Sequence, residues 1–240
     1  MLTKVLLMRV LTHPARLIKP GVLLISGILL MVEPALSEEW IPVYEEPRHR
    51  AVFDNDHAMI LNVYIPAGDV SLYHEHSLDL LYVTISGTTV WVQPLGGEKR
   101  EADVKTGDLR FSSDNHGLPH VHRVGNIGIS PFHVVGVGIK DEISGMDDPI
   151  EGDTGAMTLD QVKPHASVYR IRLGPGVKTG VHTHNLPFAA VNLTSGKLMA
   201  ENGEEKTVTA GDYHWYGAGL SHHYENTGDE PVEIIEIQWR

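Results

Sequence analysis

Apolar and polar positions alternate in short runs along most of the chain, and almost no window shows the 3.6-residue apolar period of a helix. Clear runs are Met59–Ile65, Leu80–Ile85, Thr89–Val92, Val168–Leu173 and Val232–Trp239. Gly, Pro, Asn and Asp separate these runs. Short strands at this spacing predict an all-β protein built as a sandwich or a barrel.

The chain also contains an internal repeat. The segment Gly68–His76 (GDVSLYHEH) matches Gly176–His184 (GVKTGVHTH), so that residue 68 corresponds to residue 176, 108 positions later. Three further landmarks follow in the same order in each copy: a Ser-Gly turn, a Gly-Asp turn and a histidine four residues before an asparagine. They fall at Ser86 and Ser195, Gly107 and Gly211, and His122 and His222. This order predicts two homologous domains in tandem.

The first 37 residues have the order of a secretory signal: a basic leader, an apolar run at Gly21–Val32 and the small-residue sequence Pro34-Ala-Leu-Ser37. An uncleaved membrane anchor is the alternative, but the apolar run is shorter than the roughly 20 residues of a spanning helix. We therefore expect export, to the periplasm in a Gram-negative host, with no stable membrane insertion after cleavage. The expected organisation is a signal at 1–37, domains at 38–139 and 166–240, and an acidic linker at 140–165.

Charge and cysteine content exclude several classes of function. Without residues 1–37 the chain carries 15 basic and 30 acidic residues, a formal net charge of −15, since four of the 19 basic and one of the 31 acidic residues lie in the leader. Nucleic-acid binding and docking to anionic lipid both need basic patches. The chain has no cysteine, which excludes disulfides and metal–thiolate sites. Any metal must therefore be held by nitrogen and oxygen ligands.

Paired histidines supply such ligands in both domains. Side chains alternate faces along a strand, so His74 and His76 face the same way, as do His182 and His184. A third histidine from a later strand, His122 or His222, would complete each set. The sequence thus predicts two metal sites, made of His74, His76 and His122 and of His182, His184 and His222.

These motifs resemble those of the cupin superfamily, in which Gly, five residues and His-x-His are followed later by a Gly-initiated motif that ends in His-x-x-x-Asn. The C-terminal copy of the second motif runs through Gly211, Gly219, His222 and Asn226, whereas the N-terminal copy keeps only the ending His122…Asn126. The resemblance implies two tandem jelly-roll barrels and a divalent transition metal. It favours Fe(II), although zinc, manganese or nickel fit the same ligands, and it makes a homodimer plausible.

Both copies depart from the family pattern at one ligand. The glutamate of the first cupin motif would fall at Leu80 and Ala189, and Asp79 should face away from the site. We therefore expect three neutral histidines at each site, a set that leaves open positions for a substrate and dioxygen. Of the other candidates, His116 and His120 are expected to be loop histidines, with alternative ligands or substrate contacts as the other possibility, and Asn126 and Asn226 are expected to hold turns. Tyr213, Trp215 and Tyr216 are expected mainly to pack in the core.

Three functions are compatible with this sequence. The favoured one is a three-histidine, non-haem Fe(II) dioxygenase acting on a small anionic molecule. The second is a redox-neutral isomerase or lyase of small sugar acids, and the third a non-catalytic module that captures a metal or a small ligand. No acid–base carboxylate or substrate-binding arginine could be assigned, so catalytic residues stay unknown. If only one site is active, the better motif match favours the C-terminal one.

Overall fold

A computed structural model describes residues 39–113, 120–140, 150–152, 155–199 and 203–239. The expected signal at 1–37 and the loop histidine His116 lie outside these ranges. No helix among the described residues is long and apolar enough to cross a membrane.

The N-terminal half is built from two five-stranded sheets, in the orders β1-β4-β9-β6-β7 and β2-β3-β10-β5-β8. A short 3-10 helix, Val43–Glu45, lies between the first two strands. The strands are β1 (Ile41–Pro42), β2 (His49–Asp54), β3 (Ala58–Ile65), β4 (His74–His76), β5 (Asp79–Ser86), β6 (Thr89–Pro94), β7 (Arg100–Asp103), β8 (Leu109–Ser112), β9 (His120–Asn126) and β10 (Phe132–Ile139).

The C-terminal half repeats this arrangement. One five-stranded sheet has the order β12-β13-β21-β15-β18, and two three-stranded sheets, β11-β14-β19 and β17-β16-β20, stand where the N-terminal half has its first sheet. The strands are β11 (Glu151–Gly152), β12 (Met157–Lys163), β13 (Ala166–Leu173), β14 (His182–His184), β15 (Phe188–Asn192), β16 (Gly196–Met199), β17 (Glu205–Val208), β18 (Tyr213–Tyr216), β19 (Leu220–His222), β20 (Glu225–Asn226) and β21 (Val232–Trp239). The predicted all-β fold is confirmed.

The segment expected as a linker at 140–165 contains a strand of the C-terminal barrel. β12 pairs with β13 in the register Met157↔Ile171, just as β2 pairs with β3 in the register His49↔Val63. The sequence did not indicate this strand for two reasons. Its neighbours are acidic and rich in glycine, and β12 is an edge strand whose side chains are mostly exposed or half-buried, so it lacks an apolar run. The repeat therefore begins earlier in the second domain than the composition suggested.

The two halves share a core between their larger sheets. Residues of β3, β5 and β10 pack in one buried cluster with residues of β13, β15 and β21, including the fully buried Trp239. Polar contacts join the same surfaces: Tyr213 Oη donates to Val52 O at 2.7 Å, and Arg170 Nη2 donates to Gly107 O at 2.9 Å. Each half also has its own core on the other side of its larger sheet.

Candidate functional site

The three N-terminal histidines predicted as ligands lie together in one sheet. His74 and His76 are on β4, and His122 on β9 pairs directly with His74. Both β4 histidines are almost fully buried, whereas Glu75 between them accepts a hydrogen bond from Trp40 Nε1 on the outside. One ring nitrogen from each histidine lies within 4.8 Å of the others.

The three C-terminal histidines lie together as well, and a carboxylate joins them. His182 on β14 pairs with His222 on β19, and His184 completes the predicted set. Glu236, on β21 in the other sheet, contributes an oxygen within the same 4.8 Å limit. Its carboxylate oxygens lie 3.9 Å from His182 Nε2, 3.2 Å from His184 Nε2 and 3.6 Å from His222 Nε2.

The donor atoms of both sets fit a metal ion. The Nε2 atoms of His74, His76, His182, His184 and His222, together with Glu236 Oε2, are buried and have no hydrogen-bond partner among the described residues. Buried polar atoms are normally hydrogen-bonded, so a cluster of such atoms calls for another partner.

Hydrogen bonds to the second ring nitrogen orient several of these imidazoles. His74 Nδ1 donates to Leu72 O at 2.9 Å, and at the equivalent position of the repeat His182 Nδ1 donates to Gly180 O at 3.1 Å. His184 Nδ1 donates to Gln238 Oε1 at 2.7 Å. Such bonds fix the tautomer that presents Nε2 as a lone-pair donor, as in metal-binding histidines.

Burial keeps the N-terminal imidazoles neutral. It lowers the pKa of His74 to about 4 and that of His76 to about 2, and it also lowers the pKa of His122; the charges of neighbouring histidines add to each effect. Neutral imidazole is the form that binds a metal, so these side chains need lose no proton on binding at neutral pH.

The C-terminal set combines a carboxylate with histidines of differing basicity. Burial by itself would raise the pKa of Glu236, but His182 and His184 outweigh it and lower the pKa to about 2. Burial lowers the pKa of His222 to about 4, whereas for His182 the nearby carboxylate of Glu236 outweighs burial and raises the pKa. The site therefore contains an ionised, fully buried carboxylate beside three imidazoles.

The structure adds a carboxylate to the three histidines expected at the C-terminal site. Glu236 was missed because it lies on the last strand, far from the His-x-His motif. The available signal was its place in Val232–Trp239, a strand buried on both faces, where a charged side chain needs a partner. The equivalent residue of the N-terminal repeat is Gly136. Glu236 pairs with Tyr169 and Ala190, and Gly136 pairs with the residues at the same repeat positions, Leu61 and Tyr82.

Aromatic side chains cover the C-terminal set. The Phe188 ring stacks on His184 with centroids 3.8 Å apart, and Tyr216 stacks on Phe188 at 4.7 Å. Tyr224 lies edge-on to His222 at 4.9 Å and donates its hydroxyl hydrogen to Glu236 Oε1 at 2.8 Å. Aromatic rings thus lie against His184 and His222, and one of them hydrogen-bonds to the carboxylate.

The N-terminal set borders a cavity of about 380 Å³. His76 and His122 lie in its wall together with Arg110, Tyr82 and Thr84. Much of the remaining wall is apolar and consists of Val63, Val90, Val92, Ala102, Val104, Leu109, Val124, Phe132 and Val134. The volume and mixed lining are those of a small-molecule site.

A carboxylate–histidine pair lies beside this cavity, and the sequence analysis missed it. Glu46 is buried and accepts hydrogen bonds from Arg48 N at 2.7 Å, Leu72 N at 3.1 Å and His49 Nδ1 at 2.7 Å. Burial raises the pKa of Glu46, but these bonds and the charge of His49 outweigh it and lower the pKa. His49 lines the cavity, with its ring centroid 4.1 Å from that of His74. No motif marked the pair, because the turn after the 3-10 helix brings it to the site.

The other candidates fall as follows. His120 was expected to be a loop histidine, but it begins β9 and lines the cavity 4.5 Å from the His122 ring. Asp79 lies 3.9 Å from His165 Nε2 and belongs to neither set. Asn126 and Asn226 hold turns as predicted: each amide donates to two backbone carbonyls and each Oδ1 accepts from a glycine N–H.

The three aromatic residues after the second Gly-Asp turn divide between two places. Tyr213 and Trp215 pack between the barrels, and Trp215 stacks on Phe53 at 5.8 Å. Tyr216 lies beside the C-terminal set, 6.2 Å from the His222 ring.

Comparison with known proteins identifies a cupin domain in the C-terminal half of the chain. Residues 169–238 match the family model of the cupin domain, Cupin_2. The C-terminal barrel belongs to the cupin superfamily, and the chain as a whole has the cupin fold. It is 32% identical over 69 residues to the oxalate-binding protein of Thermotoga maritima; the match spans 28% of this cupin and 57% of that relative's length.

Solved structures resemble the cupin over most of its length. Salicylate 1,2-dioxygenase of Pseudoaminobacter salicylatoxidans, in complex with gentisate, matches with a TM-score of 0.56 and 13% identity over 82% of this chain and 76% of its own. AerE of Microcystis aeruginosa matches with a TM-score of 0.54 and 11% identity over 81% and 98%. At such identities the likeness shows the fold alone.

Proposed function

We propose that this exported cupin is a metal-dependent oxygenase that binds a small organic anion in its N-terminal barrel, with Fe(II) as the favoured metal. The observation that carries the proposal is the cavity of about 380 Å³ that has His76 and His122 in its wall. The motif match favoured the C-terminal site, but aromatic rings cover that one. The open histidine set is the one that a substrate can reach.

The cavity lining favours an anion with an apolar body. Valine, leucine and phenylalanine side chains form much of the wall, and Arg110 and His120 add groups that can donate to a carboxylate or an enolate. The acidic groups of the wall are engaged elsewhere: Asp103 accepts from Thr89 Oγ1 and Asp108 from Lys105 N. An aryl or branched-chain carboxylate fits this lining better than a sugar acid, which would leave hydroxyl groups against apolar side chains.

Different residues would bind the metal, bind the substrate and accept its proton. His74, His76 and His122 would hold the ion, which when bound supplies a Lewis acid with open positions for substrate and dioxygen. Arg110 would hold the anionic end of the substrate. Glu46 fixes the proton of His49 on Nδ1, so that Nε2 is left to accept a proton from an acidic O–H or C–H of the substrate. The apolar wall would exclude water from the reacting carbon.

The similarity to salicylate 1,2-dioxygenase supports this proposal, because that protein binds gentisate, an aromatic carboxylate, within the same fold. The oxalate-binding relative points to a small carboxylate as well, although oxalate lacks the apolar body that this cavity would enclose.

A redox-neutral isomerase or lyase is the second candidate, and the Glu46–His49 pair favours it. A histidine held by a carboxylate can move a proton without any oxidant. Dioxygen separates the two functions, since only the oxygenase stops turning over under strict anaerobiosis.

The test is oxygen uptake by the iron-loaded protein against a panel of aryl and short branched carboxylates. His74→Ala should abolish uptake, whereas His182→Ala, the equivalent change in the other barrel, should keep the cavity and its histidines. Uptake lost only in His182→Ala would place the active site in the C-terminal barrel. Turnover without oxygen would favour the isomerase or lyase, and no turnover with any panel member would argue against the oxygenase.

A further inference from the structure

We propose that the C-terminal barrel holds a resident structural metal ion, closed to substrate, for which Glu236 is the decisive ligand. This barrel is the one that the proposed function does not use. Its ligands differ from those of the N-terminal barrel in their distribution over the sheets, their spacing and their surroundings.

The C-terminal ligands come from both sheets of their barrel. His182, His184 and His222 stand on the β11-β14-β19 sheet, whereas Glu236 stands on β21 in the five-stranded sheet. An ion bound here would join the two layers of the barrel directly. The N-terminal ligands all stand on the single β1-β4-β9-β6-β7 sheet, so an ion there would bridge no layers.

The spacing of the four C-terminal groups suits a closed coordination shell. Ligand atoms about 2.0–2.1 Å from a tetrahedral ion lie roughly 3.4 Å from one another. The oxygens of Glu236 are 3.2, 3.6 and 3.9 Å from the three Nε2 atoms, so small shifts bring all four groups onto one ion. Structural sites use four protein ligands, whereas catalytic sites keep a position open.

Charge gives the carboxylate a second role. Three neutral imidazoles leave a divalent ion with its full charge, and Glu236 would halve that charge inside a barrel where it is itself fully buried. Without an ion, Oε2 of this buried carboxylate has no hydrogen-bond partner in the part of the chain that the structure describes, which is unfavourable in a protein interior. Binding of a cation relieves both costs.

The groups that close the C-terminal site are absent from the other barrel at equivalent positions. The sheet registers give the equivalent residues. Leu80 stands in place of Phe188, Ser112 in place of Tyr216, Val124 in place of Tyr224 and Gly138 in place of Gln238. Ser112 and Val124 both line the N-terminal cavity. Smaller side chains thus stand around the N-terminal set, and larger ones stand around the C-terminal set.

The test follows metal retention and thermal unfolding of the whole chain loaded with Zn²⁺ at two equivalents. After dialysis against a chelator, the wild type and His74→Ala should both keep one equivalent of zinc. Glu236→Gln, which keeps the shape of the side chain, should lose both. Removal of the remaining zinc from wild type by prolonged chelation should lower the unfolding midpoint by on the order of 10 °C. The same treatment should leave Glu236→Gln unchanged.

Glu230→Gln is the matched control, because this glutamate is exposed in the turn before β21. It should retain zinc and its unfolding midpoint as wild type does. Tyr224→Phe removes only the hydroxyl that donates to Glu236 and should speed zinc loss without unfolding the barrel. If both barrels release zinc at the same rate, or if removal of the retained zinc leaves the unfolding midpoint unchanged, the structural assignment is wrong.

Discussion

Glu236 and Gly136 occupy the same position in the two barrels, each on the last strand of its repeat and paired with equivalent residues of both neighbouring strands. One barrel thus places a carboxylate on its histidines, and the other places no side chain there. Tyr82, the neighbour of Gly136, takes some of the space and lies with its hydroxyl 3.4 Å from His76 Nδ1. This position of the repeat therefore distinguishes the site that has a carboxylate from the one that has none.

A carboxylate introduced at residue 136 should make the N-terminal barrel retain zinc as tightly as the C-terminal one. The double change Gly136→Glu with Tyr82→Ala, which copies Glu236 and Ala190, should let the chain keep two equivalents of zinc under chelation instead of one. Oxygen uptake should fall at the same time, because a fourth ligand fills a position that the substrate needs. Metal analysis after dialysis and an oxygen electrode measure the two effects.

The control for this exchange is Gly136→Ala with Tyr82→Ala. A Cβ at residue 136 would lie 3.6 Å from Leu61 and Tyr82, an ordinary contact, so the smaller change should fold. Two equivalents retained by the control would show that loss of Tyr82, not the carboxylate, closes the site.

The sequence predicted the parts of this site that depend on strand alternation. His-x-His on a strand places both imidazoles on one face, and the repeat placed His122 and His222 as third members. These features are local or recur at fixed spacing, so one chain suffices to find them.

Glu236, Glu46 and His49 could not be placed in the same way. The apolar run of β21 indicates that Glu236 needs a buried partner, but which side chains it meets follows from the pairing of β21 with β13 and β15. Glu46 reaches the site because it follows a 3-10 helix and accepts a bond from Leu72 N, 26 residues away. The positions of all three side chains depend on tertiary pairing, which a single sequence does not show.

Replacement of His49 by Asn should slow the reaction and leave the metal in place. His49 Nε2 is the proposed proton acceptor, and loss of a general base reduces kcat by about 10²- to 10⁴-fold. KM and metal content should stay near wild-type values. A fall in metal content equal to the fall in activity would instead make His49 a ligand.

Glu46→Gln tests the positioning role separately. The amide oxygen can still accept the His49 Nδ1 hydrogen, but the charge is lost, so kcat should fall less than in His49→Asn while KM stays the same. Change of both residues together should cost little more than His49→Asn alone, because the two act as a unit. Additive losses would contradict the pairing.

Arg110→Ala should weaken binding of the substrate anion. A hydrogen bond to a charged group contributes about 1.5–3 kcal/mol, which corresponds to a rise in KM of about 10- to 100-fold. A neutral amide analogue of the substrate should bind equally well to both proteins. Arg100→Ala is the control, since Arg100 is exposed on β7 and does not line the cavity. An equal effect of both changes would indicate general attraction and no specific contact.

The shared core between the barrels should make them unfold together. Trp239 is fully buried in that core and lies 4.9 Å from the Trp215 ring, so Trp239→Ala should lower the free energy of unfolding by about 3–5 kcal/mol. Urea unfolding of the wild type should show one transition. Trp40→Ala, at a half-exposed tryptophan, should cost about 1 kcal/mol or less. Two separate transitions in the wild type would show that each barrel is stable without the other.

His133 should make the interface between the barrels sensitive to acid. It packs against Gly211, where a Cβ would lie 2.6 Å from its ring, and hydrogen-bonds to Asn62 Oδ1 at 3.0 Å. Burial lowers the pKa of His133 below its ordinary value of 6.5. The unfolded chain therefore binds the proton more readily than the folded one, and stability is lost as the pH falls through about 6.5 toward the folded pKa.

His133→Gln keeps a donor for Asn62 but cannot titrate. Relative to this variant, the metal-free wild type should lose stability between pH 7 and 5 in urea unfolding. His57→Gln, at an exposed histidine, should follow the wild-type curve. Parallel curves for wild type and His133→Gln would show that His133 has no part in acid sensitivity.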